Sequence, residues 1–161
     1  MSNTLRVYWS MILIGIGLMW MAGCKSDVSG ALTGKAGKYQ YGFVAEGQGG
    51  GTLLIHPLDN NDFLFYLEVN RGAPSFNSGT LYGRVEANSE NQYDHGDCIL
   101  HFSFSSEGVA IRSEEGHSSC GFGHGVRADG RYKRIKEELP QYFQTMTGDT
   151  IYFDEVLPED W

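Results

Sequence analysis

The feature that most narrows the fold is a strict two-residue alternation of side chains along several short stretches. "FLFYLEVN" sets Phe63, Phe65, Leu67 and Val69 on one face and Leu64, Tyr66, Glu68 and Asn70 on the other. "CILHFSF" sets Cys98, Leu100, Phe102 and Phe104 against Ile99, His101 and Ser103, and "GTLYGRVEA" sets Leu81, Gly83, Val85 and Ala87 against Tyr82, Arg84 and Glu86. A period of two belongs to the β-strand, whose successive side chains leave on opposite sides. Further strands are expected at 39–45, 52–55, 109–112, 121–127, 131–135 and 150–154. Turn-forming residues separate them: "DNND" at 59–62, "SSEG" at 105–108 and "ADG" at 128–130, where Gly130 is free to take a positive φ. Short strands at regular spacing predict an all-β fold, a small antiparallel β-barrel or β-sandwich. At most one short helix fits near the C-terminus. "KEELPQYFQTM" at 136–146 holds helix formers, but Pro140 must stand in a first turn or break the helix.

The amino end is of another kind. Residues 1–23 carry one cation, Arg6, followed by an apolar stretch at 7–22 interrupted by Ser10, Gly15 and Gly17. That stretch is shorter than the roughly 20 residues a helix needs to cross hydrocarbon. It ends in small residues ahead of Cys24, the plan of a secretory signal. The segment resembles a bacterial lipoprotein signal peptide, with Met21-Ala22-Gly23-Cys24 as its lipobox and Met21 where that family usually has Leu. The resemblance implies cleavage before Cys24 once its sulfur carries a diacylglycerol, so that Cys24 becomes the acylated first residue. Lys25 stands where an Asp would imply retention in the inner membrane, so the resemblance implies the outer membrane, facing the periplasm. Each lipid chain adds about 0.8 kcal/mol per buried methylene, enough for two or three to hold a protein durably to a bilayer. Residues 24–37, small, polar and glycine-containing, read as a flexible tether, and 38–161 as a single β domain.

With Cys24 acylated, Cys98 and Cys120 remain. In an exported chain they are expected to form a disulfide. An alternative reading joins "HGDC" and "HSSCGFGH": His95, Cys98, His117 and Cys120 would make a four-ligand zinc site, with His124 in reserve. Other chemical signals are incomplete. "GHSSC" at 116–120 places Ser118 as in a nucleophile elbow but ends in Cys120 and has no α/β context. "GQGGG" at 47–51 lacks the Gly-Lys-Ser/Thr of a phosphate loop and reads as a hairpin loop. No catalytic group and no cofactor are expected.

Twelve cations against twenty acids give a net charge of -8, which argues against a nucleic-acid partner. The layout matters more than the total. Arg127, Arg131, Lys133, Arg134 and Lys136 crowd one stretch, while the seven charged residues of 137–161 are all acids. In "GRYKRIK", Arg131 and Lys133 share a face, opposite Tyr132 and Arg134. The plain reading is a solvated edge strand, its cations guarding against aggregation, with the acidic tail folded back on it. The functional reading is a partner-binding tail, with Tyr142, Phe143, Tyr152, Phe153 and Trp161 as anchors and acids steering a basic protein.

Ser78-Gly79-Thr80-Leu81-Tyr82 matches S-G-x-x-Y, a motif of the bacterial envelope lysozyme inhibitors of the membrane-bound C-type group. Those are small β-barrel lipoproteins, and the mature domain is similar to them in plan. The resemblance implies a non-catalytic, lipid-anchored domain that binds a protein, a basic lysozyme-like or toxin hydrolase, with Ser78 and Tyr82 from the motif; the tail's charge and aromatic layout adds Asp154, Glu155 and Trp161 as partner-binding candidates. A structural or assembly lipoprotein without a dedicated ligand is the alternative, followed by a metal-binding or hydrolytic domain.

Overall fold

The structure, a computed structural model, describes residues 34–42, 47–86 and 90–160, except the side chains of 116, 117 and 160. The signal peptide, the lipobox, Cys24 and most of the tether therefore lie outside the described residues, as does Trp161. The described chain is all-β. Ten strands run in order: β1 (Gly37–Gly42), β2 (Gln48–Pro57), β3 (Phe63–Gly72), β4 (Ser78–Val85), β5 (Gln92–His95), β6 (Cys98–Phe104), β7 (Gly108–Ser118), β8 (Gly130–Lys136), β9 (Tyr142–Gln144) and β10 (Thr150–Tyr152).

The first eight strands form one antiparallel sheet ordered β4-β3-β2-β1-β8-β7-β6-β5. Two meanders, β1 to β4 and β5 to β8, are joined where β1 pairs with β8. The sheet curls until β4 comes beside β5 without a ladder between them, so the barrel is nearly closed. Eight strands leave an interior just wide enough for side chains to fill. The alternating residues supply that filling: Leu53, Ile55, Phe63, Phe65, Leu67, Leu100, Phe102, Ile111 and Tyr132 are all at most 2% exposed. Phe65 meets Phe102 at 5.0 Å and Tyr93 edge-on at 5.2 Å. Each such side chain contributes about 1.5–3 kcal/mol on burial. The two tyrosines of the barrel interior satisfy their hydroxyls locally: Tyr132 donates to the Ala128 carbonyl at 2.8 Å and Tyr39 to that of Lys35 at 2.6 Å. The core is thus packed side chain rather than a calyx.

Several expectations need correction. β8 is an inner strand, bonded to β1 on one side and β7 on the other, so its cations guard no edge. Segment 121–127 is not a strand. It folds back after Cys120 through Gly121 and Gly125, both at positive φ, and Gly123 N–H donates to the Ser78 carbonyl at 3.1 Å. Gly130 keeps an ordinary strand φ and opens β8. Glycines 49–51 stand inside β2 rather than in a loop; a Cβ on Gly51 would lie 2.8 Å from the Glu68 carbonyl. The helix allowed at 136–146 does not form, because Phe143 is held as a strand residue over an apolar patch. β5 was not legible: "QYDH" has no alternation strong enough to mark it.

Candidate functional site

Tertiary structure gives the chain two chemically opposite outer faces. The first is built by the C-terminal residues. β9 and β10 pair with Tyr142 opposite Tyr152 and Phe143 opposite Ile151, and the turn between them is closed by Thr145 N–H donating to the Asp149 carbonyl at 2.9 Å. Alternation then sorts the aromatics. Phe143, Ile151 and Phe153 face the barrel and pack on Leu64, Tyr66 and Tyr82, which project outward from β3 and β4. The Phe143 ring stacks on Tyr66 at 4.0 Å and 13°.

Three hydrogen bonds to backbone carbonyls help fasten the hairpin. His56 Nδ1 lies 2.7 Å from the Pro140 carbonyl; a carbonyl only accepts, so the ring carries its proton on Nδ1 there. The Tyr66 hydroxyl donates to the Gln144 carbonyl at 3.2 Å and that of Tyr82 to the Val156 carbonyl at 2.7 Å. Burial pushes the Tyr66 hydroxyl up to about 12, helped by Glu68 and opposed by a hydrogen bond with Thr80. Burial, with a smaller push from Glu159, takes Tyr82 to about 12 as well.

What the hairpin shows to solvent is the other half of its alternation. Tyr142 and Tyr152 stand 52% and 43% exposed with ring centroids 5.7 Å apart. A groove of about 520 Å³ runs beside Tyr142, lined by Leu54, Tyr66, Glu68 and Phe143 and, on its other side, by Lys38 and Lys136. Glu138, which shares the groove with Tyr142, is exposed, as are Asp149 in the turn and Asp154 and Glu155 just past β10. Aromatic rings with acids at their rim, fixed on a rigid barrel, are suited to contacting a basic protein surface.

The second face is the outside of β1, β8 and β7. Lys38 pairs with Lys136, Gln40 with Lys133, and Ala110 with Arg131. Arg112, Arg131, Lys133 and Lys136 are exposed and Lys38 half-buried. None of the five is in an ion pair among the described residues. Arg134 points the other way, bonding the Ala36 carbonyl and lying 3.8 Å from Glu137. Among the described residues Arg134–Glu137 is the ion pair between β8 and the acidic tail, whose apolar residues pack over β2, β3 and β4.

The sequence-predicted residues fall as follows. Ser78 and Tyr82 do meet the C-terminal segment, Ser78 Oγ reaching Met146 Sδ at 3.8 Å. Tyr82, however, is 3% exposed beneath the hairpin, so it fastens that element and presents nothing to a partner. Asp154 and Glu155 are exposed at the end of β10. Cys98 and Cys120 are joined, S–S 2.07 Å, and a sulfur in a disulfide is not a thiolate ligand, so the zinc set is not assembled. His95 lies opposite Cys98 and stacks beside Tyr93 at 6.3 Å, His124 is exposed, and the side chain of His117 is outside the described residues. Among the described residues no group of three or more His, Cys, Asp or Glu gathers as a metal site. Ser118 ends β7 as an exposed strand residue.

Sequence reasoning missed the His56 latch and the bidentate hold of Asp129 on the Ser113 amide and hydroxyl at 3.0 and 2.6 Å. His56 sits on the outward face of β2 beside Leu54, and an outward apolar–aromatic run on two neighbouring strands was the available sign that something covers them. No known protein family, no curated protein and no solved structure matches the chain.

Proposed function

We propose that the chain is a lipid-anchored envelope protein, held by acylation of Cys24, whose β-barrel works by binding a basic protein through its C-terminal hairpin. The observation that carries this reading is the paired, outward Tyr142 and Tyr152 among exposed acids on a hairpin clamped to the barrel. Interface energy concentrates in aromatic anchors, and acids around them raise the encounter rate with a cationic partner. A rigid platform also lowers the ordering cost of binding. The partner class we favour is a lysozyme-like or toxin hydrolase, whose inhibition would follow from blocking its cleft. In this reading Ser78 and Tyr82 act by positioning the hairpin.

The test is direct. The purified acylated protein is assayed for retention and slowing of a lysozyme, beside a Tyr142→Ala/Tyr152→Ala variant and an Asp154→Lys/Glu155→Lys variant. Inhibition by the native protein that both variants lose supports the reading. A native protein that neither retains the hydrolase nor slows it sinks the inhibitor role.

A further inference from the structure

The basic face of β1, β8 and β7 has no use in the function proposed above, and the fold removes its ordinary explanation. Cations on an edge strand prevent sheet-to-sheet pairing, but β8 is flanked on both sides. Five cations without an ion pair among the described residues, Lys38, Arg112, Arg131, Lys133 and Lys136, are thus gathered on β1, β7 and β8 of a chain whose net charge is -8. The nearest acids lie at its margins or are engaged, and Glu68 and Glu138 share the hairpin groove with Lys38 and Lys136. Glu107 is in the β6–β7 turn, Glu137 is with Arg134, Glu138 is beyond Lys136, Asp129 is bonded to Ser113 and Glu114 is beside His101.

We infer that this face lies against an anionic bilayer surface, so that the domain is oriented on the membrane as well as tethered to it. The inference rests on the lipid-anchored reading given above. Its first support is charge complementarity, since each Lys or Arg near an anionic leaflet adds to binding and the effect fades within a Debye length, about 8 Å in physiological salt. The second is reach. The fold takes hold of the chain at Lys35, whose carbonyl accepts from Tyr39, and at Ala36, whose carbonyl accepts from Arg134. Eleven residues beyond Cys24 reach at most about 40 Å even when fully extended, so an acylated Cys24 limits how far the barrel can stand from the lipid. The chain enters through β1, itself a strand of the basic face and the bearer of Lys38. The third is geometry: the acidic hairpin centres on β3, three places from β8 in an eight-strand circuit. Lys38 and Lys136, at the margin nearer the hairpin, also line the groove beside Tyr142, whereas Arg112, Arg131 and Lys133 do not.

The acylated full-length mature protein is loaded onto preformed vesicles of phosphatidylcholine alone, or with about 30% phosphatidylglycerol. Lysine amines are then reductively methylated, which preserves their charge, and rates are read residue by residue by mass spectrometry. Lys38, Lys133 and Lys136 are expected to react about threefold or more slowly on the anionic vesicles, a difference lost in about 1 M salt. Arg131→Gln/Lys133→Gln, both at exposed positions, should relieve the protection of Lys38 and Lys136. Equal rates on the two vesicles overturn the inference, as does full protection in the double variant. Equal protection by soluble polyphosphate without vesicles also overturns it. Should the protein carry no lipid, the anchored reading fails separately. The same lysines are then compared with the protein merely mixed with each vesicle, and anion-dependent protection still supports the face while its absence overturns it.

Discussion

At the scale of single residues, stability is set by how completely the barrel is filled. Gly83 shows how little room remains: a Cβ there would lie 2.6 Å from the Tyr93 ring and 2.7 Å from that of Phe65. Gly83→Ala is therefore expected to destabilise the protein by about 1–3 kcal/mol in a denaturant titration, the usual cost of overpacking. Phe65→Ala, which empties the same site, should cost about 3–5 kcal/mol. Tyr66 and Tyr82 give a pH signature. Both hydroxyls hold their protons to about pH 12 when folded, while in an unfolded chain they ionise near the ordinary value of 10.0. Between those values the unfolded state binds fewer protons, so stability is fully present below pH 10 and falls as pH rises toward 12. Unfolding midpoints measured from pH 8 to 12 should show that fall, and Tyr66→Phe should make it shallower. The alternation that buries Phe65 was legible from eight letters of sequence. The closeness of Gly83 to two rings was not, because Phe65 and Tyr93 reach it from β3 and β5, and β5 left no sequence signal.

At the scale of elements, the disulfide and the hairpin are the two attachments to the barrel. The Cys98–Cys120 link joins the start of β6 to the segment after β7, across 22 residues. By loop-closure entropy its removal in Cys98→Ser/Cys120→Ser is expected to cost about 3 kcal/mol, read as a lowered denaturation midpoint. The hairpin is expected to open as a separate cooperative unit, because its contacts with the barrel include Phe143, Ile151, Phe153 and hydrogen bonds from His56, Tyr66, Ser78 and Tyr82. Phe143→Ala should accelerate amide exchange in 142–156 far more than in β3 or β6. It should also raise binding of an apolar dye to the uncovered Leu64, Tyr66 and Tyr82. Uniform acceleration through the whole barrel would show that the hairpin is no separate unit. "FLFYLEVN" already hinted at such a cover, since its outward face carries Leu64 and Tyr66 ahead of Glu68. Which segment supplied the cover was invisible, for it comes from about eighty residues downstream.

At the scale of the whole molecule, the charge that reads as a simple excess of acids is arranged as two poles, a basic face centred on β8 and an acidic, aromatic one over β3. Reversing Asp154 and Glu155 should abolish partner binding and leave lysine protection on anionic vesicles unchanged. The Arg131→Gln/Lys133→Gln variant should do the opposite. Parallel measurement of both properties separates the poles. By itself the sequence determined the strand class and the inward faces of β3, β4 and β6, because alternation and turn chemistry act between near neighbours; it offered the Cys98–Cys120 pairing beside a zinc alternative. Only the tertiary structure decided that β8 is an inner strand, that Tyr82 lies beneath the hairpin, and that the tail covers β3 instead of neutralising β8. Those outcomes depend on where distant strands meet around a closed circuit, which no local run of residues encodes.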